Sequence, residues 1–115
     1  MQKDYLKIKF TMQQNRLISI IMNCHNGQRY LKNCLKSIFN QTYKNWEIIF
    51  WDNVSTDDSK KILNQFKDKR IKYYKSKKFI SLYKARNLAI AKAKGDYISF
   101  LDTDDLWKKN KLFEQ

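Results

Sequence analysis

"LISIIMN", residues 17–23, decides the fold. The run is almost wholly apolar, rich in isoleucine, and stops abruptly at the polar residues Asn23 to Asn26. A strand with one wet face alternates in polarity, whereas a strand covered on both faces reads as a continuous apolar run. Reading outward from this first strand, apolar residues after Gly27 fall at Tyr30, Leu31, Cys34, Leu35, Ile38 and Phe39, the spacing of a helix that buries one stripe. WEIIFW, residues 46–51, is a second buried strand, and Ser55 or Thr56 can cap a helix that turns Ile62, Leu63 and Phe66 inward. RIKYYK, residues 70–75, reads as a third strand and SLYKARNLAIAKAK as an alanine-rich helix. Gly95 stops that helix ahead of the strand DYISFL. The order β-α-β-α-β-α-β predicts an α/β fold with a mostly parallel sheet flanked by helices and right-handed crossovers.

The chain has 115 residues, 43% of them hydrophobic and 15% aromatic, enough for one domain with a core of its own. No stretch approaches the roughly 20 apolar residues of a membrane span, and the start lacks the apolar block of a signal peptide, so a cytoplasmic location is expected. Cys24 and Cys34 stand apart with no CxxC pair, and His25 is the one histidine. That pattern supports neither a structural zinc site nor a disulfide framework, and both are read as ordinary buried or half-buried thiols. The net charge of +13 is uneven: residues 60–94 hold 13 Lys or Arg against the single acid Asp68, while residues 95–115 hold five acids against three bases. So polarised a charge favours an anionic partner, whether a phosphorylated ligand, an anionic membrane surface or nucleic acid.

Ligands of parallel α/β sheets bind at the carboxyl ends of the strands, where the strand order reverses. The polar clusters of this sequence fall at those ends: Asn23 to Asn26, Asp52 to Asp58, and Asp102 to Asp105. Along an extended chain Asp102 and Asp104 share one side, with Asp105 turned elsewhere. Two such carboxylates suit Mn²⁺ or Mg²⁺ completed by substrate phosphates and water. On spacing alone, an Asp-rich turn capping a following helix fits equally well.

Five elements in order narrow this down. They are the strand end Asn23-Cys24-His25-Asn26, the link NQTYKNWE, the D-x-x-S-T-D turn from Asp52, the A-R-N start at Ala85, and the F-L-D-x-D-D motif from Phe100. From about Leu17 to the C-terminus the chain closely resembles the family 2 glycosyltransferases, which have the GT-A fold. The resemblance implies transfer of a sugar from a nucleotide-diphosphate donor, UDP-, GDP- or dTDP-linked, with a divalent cation at the acidic motif. It also implies site roles. Asn23 and His25 at the strand end would border the base, His25 standing where the family often has tyrosine, and Asn26 joins them among the nucleotide-sugar-binding residues. Asp52 and Asn53 stand where many members have two aspartates, and the asparagine leaves the identity of the base open. Arg86 would meet the diphosphate, Asp102 the ribose or the metal, and Asp104 the metal itself.

Residues 1–16 are read as an N-terminal extension and residues 17–115 as a partial nucleotide-sugar-binding domain, truncated before the acceptor half. The catalytic base of an inverting transfer is expected beyond Gln115, so that the chain is either a fragment or a natural short form. The expected partners are a nucleotide-diphosphate sugar and a glycan or lipid-linked acceptor. Peripheral contact with an anionic membrane and self-association through uncovered apolar residues such as Leu106, Trp107 and Phe113 are expected too. The rival reading is a non-catalytic nucleotide or nucleic-acid binding module, with Tyr73, Tyr74, Phe79 and Tyr83 as stacking platforms on the basic segment. No nucleic-acid partner is expected under the first reading.

Overall fold

The computed structural model describes residues 16–103. Asp104, Asp105, Leu106, Trp107 and Phe113, with the expectations attached to them, lie outside the described residues, as does the N-terminal extension up to residue 15. The described elements are β1 (Ile18–Cys24), α1 (Gln28–Phe39), β2 (Trp46–Asp52), α2 (Ser59–Leu63), β3 (Ile71–Lys75), α3 (Leu82–Lys92) and β4 (Tyr97–Phe100). The four strands form one sheet in the order β3-β2-β1-β4, and every pair is parallel. This is the predicted α/β architecture, and the apolar runs explain its centre: β1 and β2, the two inner strands, are buried on both faces.

One face of the sheet carries α1 and α2. Leu31, Leu35 and Ile38 of α1 pack with Ile20, Met22, Ile48 and Phe50 in a core closed to solvent. Each such side chain stabilises the fold by about 1.5–3 kcal/mol. The stripe is narrower than its spacing suggests, because Tyr30 is exposed. On the opposite face α3 sets Ala85 and Ala89 against Ile21, Ile49 and Trp51, small residues that let the helix lie close to the sheet. That helix leaves Leu82 and Leu88 in solvent, as are Ile98 and Phe100 of β4. The two edges differ accordingly. The β3 edge exposes Lys72 and Lys75, which guard it against pairing with another chain, while the exposed side chains of β4 are Tyr97, Ile98 and Phe100.

At the amino ends of the strands a buried polar cluster fixes the α3–β4 turn. The Ser19 hydroxyl donates to Glu47 (2.6 Å), Lys94 N donates to the same carboxylate (2.8 Å), and Gly95 N donates to Ser19 Oγ (2.8 Å). A Cβ on Gly95 would stand 2.5 Å from Ser19 Oγ and 2.7 Å from Ser19 N. Gly95 is thus a close-approach glycine: α3 already ends at Lys92 and Gly95 has no positive φ, so it is not the helix cap expected from sequence. The second helix also differs from expectation. It is a single turn that begins at Ser59 and ends at Leu63, leaving Phe66 beyond it, because Ser55 and Thr56 bond to the neighbouring loop. Cys24 and Cys34 are buried, as read from sequence, and both are free thiols. No helix among the described residues is long and apolar enough to cross a membrane.

Candidate functional site

The strand order reverses beside β1, which has β2 on one side and β4 on the other. The chain after β4 crosses the carboxyl end of the sheet at this switch point. Leu101 N donates to Ile21 O (3.1 Å), and the Cys34 thiol donates to Asp102 O (3.5 Å). A Cβ on Gly27 would come within 2.9 Å of Thr103 Oγ1 and 3.1 Å of Cys24 Sγ, so only glycine lets this segment settle so near the start of α1.

Two loops close one side of the site by bonding to each other. Asn26, in the left-handed region at φ 53°, accepts with Oδ1 from Thr56 N (2.7 Å) and Asp57 N (3.3 Å), while its own N–H donates to Ser55 Oγ (2.9 Å). Gly27 N donates to Ser59 Oγ (3.0 Å), Gln28 N to Asp57 Oδ2 (3.0 Å), and Asp58 N to Gln28 Oε1 (2.8 Å). Burial pushes the Asp57 carboxyl up, but hydrogen bonds from the Ser59 side chain and from nearby backbone N–H groups outweigh it, and the net shift is downward. Each bond answers a backbone group at the start of a helix or loop. Asn26, expected among the nucleotide-sugar-binding residues, here holds two loops together.

Asp52 and Asn53 are likewise taken up by the protein. Asp52 is 2% exposed, and its carboxylate accepts from Tyr73 OH (2.6 Å) and Ser55 N (2.8 Å). Burial and then the Asp52 hydrogen bond raise the Tyr73 hydroxyl well above the usual phenol range, keeping it a donor. Asn53, 6% exposed, pairs its amide with the backbone of Ile80, donating to Ile80 O (2.7 Å) and accepting from Ile80 N (3.0 Å). Both side chains are spent on fixing the loop that follows β2. Val54 follows at φ 55°, a left-handed conformation that a β-branched residue adopts only under strain.

Three of the expected residues keep polar capacity facing outward, and a fourth, Asn23, keeps it buried. His25 is exposed, and its Nδ1 lies 2.7 Å from Asn53 O; a carbonyl only accepts, so Nδ1 carries the proton and Nε2 is left as an acceptor. Its ring packs edge-on against Phe79, with centroids 4.8 Å apart. Asn23 shares a sheet face with Ile21, and its Oδ1 is buried without a hydrogen-bond partner. Arg86 of α3 lies over the Phe100 ring (5.4 Å) and 3.6 Å from Asp102 Oδ1. The Asp102 side chain is 60% exposed, so its oxygens are open to a hard cation that water and phosphate would complete. Among the described residues no group of three or more His, Cys, Asp or Glu could hold a metal ion, and Asp104 lies outside them.

The structure thus brings together Arg86 with Asp102, His25 with Phe79 and Asn53, and Asn26 with the turn at residues 55–57. Sequence reasoning missed Tyr73 as the partner of Asp52, Ile80 as that of Asn53, and Thr103 as the neighbour of Gly27. Tyr73 had no local signal, since in sequence it is one aromatic in a short strand. Of the four aromatics read as stacking platforms, Tyr73 and Tyr74 stack on Phe50 and Trp51 inside the sheet, while Phe79 and Tyr83 are exposed.

Comparison with known proteins agrees with this geometry. The family described as glycosyl transferase family 2 matches residues 19–115. A glycosyltransferase of Haemophilus influenzae is 45% identical over 101 residues, covering 86% of this chain and 40% of that protein. The Escherichia coli protein named UDP-Glc:alpha-D-GlcNAc-diphosphoundecaprenol beta-1,3-glucosyltransferase WfaP is 43% identical over 99 residues, 86% of this chain and 39% of its own. The chain therefore spans about 40% of the length of these relatives. Among solved structures, S. aureus TarS 1-349 in complex with UDP superposes with a TM-score of 0.80 at 27% identity, over 84% of this chain and 30% of that one. The mannosyltransferase PcManGT from Pyrobaculum calidifontis, in complex with GDP-Man and Mn²⁺, shares the fold at a TM-score of 0.75 and 18% identity, over 91% of this chain and 35% of its own.

Proposed function

The chain belongs to glycosyl transferase family 2, and on that footing we propose that it is the donor-binding part of an enzyme that moves a sugar from a nucleotide-diphosphate donor to a lipid-linked or glycan acceptor. The observation that carries this reading is the pair Arg86 and Asp102 at the switch point, and the unpartnered Oδ1 of Asn23 on β1 supports it. Asn23 offers an acceptor to a ribose hydroxyl or a base N–H. His25 offers an aromatic edge and the acceptor Nε2 to the base. Arg86 presents a forked cation to the diphosphate, where it balances charge as the sugar leaves. Asp102, with Asp104, would hold Mn²⁺ or Mg²⁺, which when bound neutralises charge on the departing nucleotide. Asp52, Asn53 and Asn26 serve as positioning residues, keeping the loop after β2 fixed so that the base enters without reordering it.

A UDP-linked donor is the first to test, because WfaP is named for UDP-Glc and one TarS structure holds UDP. GDP and dTDP stay in the set, because Asn53, whose amide is spent on Ile80, does not fix the base. The test is calorimetric titration of the 115-residue chain with UDP, GDP and dTDP, with Mn²⁺ and again with chelator. The expected result is binding of UDP that weakens at least about tenfold when the metal is removed, as a lost charge-assisted contact requires. Equal affinity with and without chelator would remove the acidic motif from the metal role. Binding of none of the three nucleotides would sink the donor-site reading.

A further inference from the structure

We infer that the surface of residues 77–84, at the rim of the strand ends, docks on an anionic lipid bilayer. The segment reads KKFISLYK. Phe79, Leu82 and Tyr83 are 62%, 51% and 76% exposed, three large apolar side chains facing water within five positions. Apolar residues on a soluble surface are ordinarily scattered singly, and a cluster marks an interaction face. Lys75, Lys77, Lys78 and Lys84 surround it, all exposed. Between residues 69 and 95 the sequence has ten Lys or Arg and no Asp or Glu.

The surface is built rather than loose. Asn53 holds Ile80 at both backbone groups, and Ser81 caps α3 by accepting from Lys84 N (3.2 Å). Phe, Leu and Tyr side chains enter the boundary between head groups and acyl chains, while lysine stems reach alongside them to the phosphates. Each lysine near an anionic leaflet adds attraction. An RNA backbone would use the same lysines and would stack bases on Phe79 and Tyr83, but it has no use for the exposed Leu82. Phe79 packs on His25, so the patch borders the donor site, and a bilayer seated there would present a lipid-borne acceptor to that site. The choice of a lipid-borne acceptor rests on the donor-site reading above; the docking itself is measured without nucleotide.

The full 115-residue chain is sedimented with vesicles of phosphatidylcholine alone and with vesicles containing about one-third phosphatidylglycerol, at about 0.15 M salt. The parent should bind the anionic vesicles and not the zwitterionic ones. K77E/K78E and, separately, L82S/Y83S should each lower the partition coefficient at least roughly tenfold, with thermal melting unchanged. Equal partition on both vesicle types would overturn the inference. So would undiminished binding by L82S/Y83S, which would reduce the effect to diffuse charge, and so would displacement from vesicles by poly(U) at equal phosphate concentration. Because the nucleotides are titrated separately, vesicle binding without binding of UDP, GDP or dTDP leaves docking standing and removes the donor site. UDP binding without vesicle binding does the reverse.

Discussion

Tyr73→Phe deletes one hydroxyl and keeps the ring, which stacks on Phe50 at 5.9 Å. Asp52 then loses the closer of its two donors, 2.6 Å against 2.8 Å, while it stays buried. Removing a donor from a buried carboxylate costs about 1.5–3 kcal/mol; because Tyr73 is itself only half-buried, we expect about 2 kcal/mol. For a domain of this size that lowers Tm by on the order of 10 °C. Urea unfolding read by the buried Trp46 and Trp51 measures it, with an unchanged m-value as the control. The Tyr73 hydroxyl has a raised folded pKa, so its contribution is complete below the unfolded value of about 10 and fades as pH rises through the folded one. The parent and Tyr73→Phe should therefore differ by a constant amount across neutral pH and converge only in strong alkali. In an Asp52→Asn background the same change should cost much less, since the two groups are coupled. A loss below about 0.5 kcal/mol that adds independently to Asp52→Asn would refute the bond and return Asp52 to the role of a ligand contact.

Four further outcomes follow from the same geometry. Gly95→Ala should destabilise by about 2 kcal/mol or more in urea, because its Cβ meets Ser19 at 2.5 Å and 2.7 Å against buried backbone; a neutral result would mean that the α3–β4 turn is not held to β1. Val54→Asn should raise stability by up to about 1 kcal/mol by relieving a β-branched residue at φ 55°, and a loss by calorimetric melting would show that Val54 packing outweighs its strain. Arg70 beside Asp68 holds that carboxyl below the usual range, and hydrogen bonds do so for Asp57. Both contribute stability above an unfolded pKa of about 4 and lose it as pH falls through the folded value, so Asp68→Asn should flatten the acid limb of a stability-against-pH curve; an unchanged limb would dismiss the pair. Arg86→Ala should weaken UDP roughly 10- to 100-fold with Tm little changed, and equal affinity would take Arg86 away from the diphosphate.

The fold was legible because apolar runs and apolar spacing are one-dimensional signals. LISIIMN and WEIIFW are buried on both faces since they are the inner strands, and a continuous apolar run has no other stable place in a parallel sheet. Element boundaries were less legible where polar residues had two possible partners. Ser55 and Thr56 are good helix caps by type, yet Asn26 lies across the gap and takes them first. Gly95 stands where a helix stop would, and its reason is Ser19, 76 residues earlier in the chain. Partners so distant in sequence leave no local trace. The clustering of polar residues at strand ends was equally plain, but which of them face a ligand depends on the two faces of the sheet.

That dependence comes down to strand alternation. Asn23 pairs with Trp51 in the register and Cys24 with Asp52, so Asn23 and Asp52 occupy neighbouring rows and point to opposite faces. The face that Asp52 shares with Phe50 is closed by α1, α2 and the crossed loops, and a carboxylate there must find donors inside the protein, which Tyr73 and Ser55 supply. The face of Asn23 is covered by α3 only as far as β1 and β2, so beside β4 the helix flank leaves Arg86 and Phe100 next to open solvent. Among the described residues, the face of Asn23 is therefore the more open of the two. The same one-residue offset that buries Asp52 as scaffold leaves the Asn23 oxygen without a partner, and on the donor-site reading that buried acceptor, with the Arg86 cation now paired to Asp102, is what an incoming nucleotide diphosphate would complete.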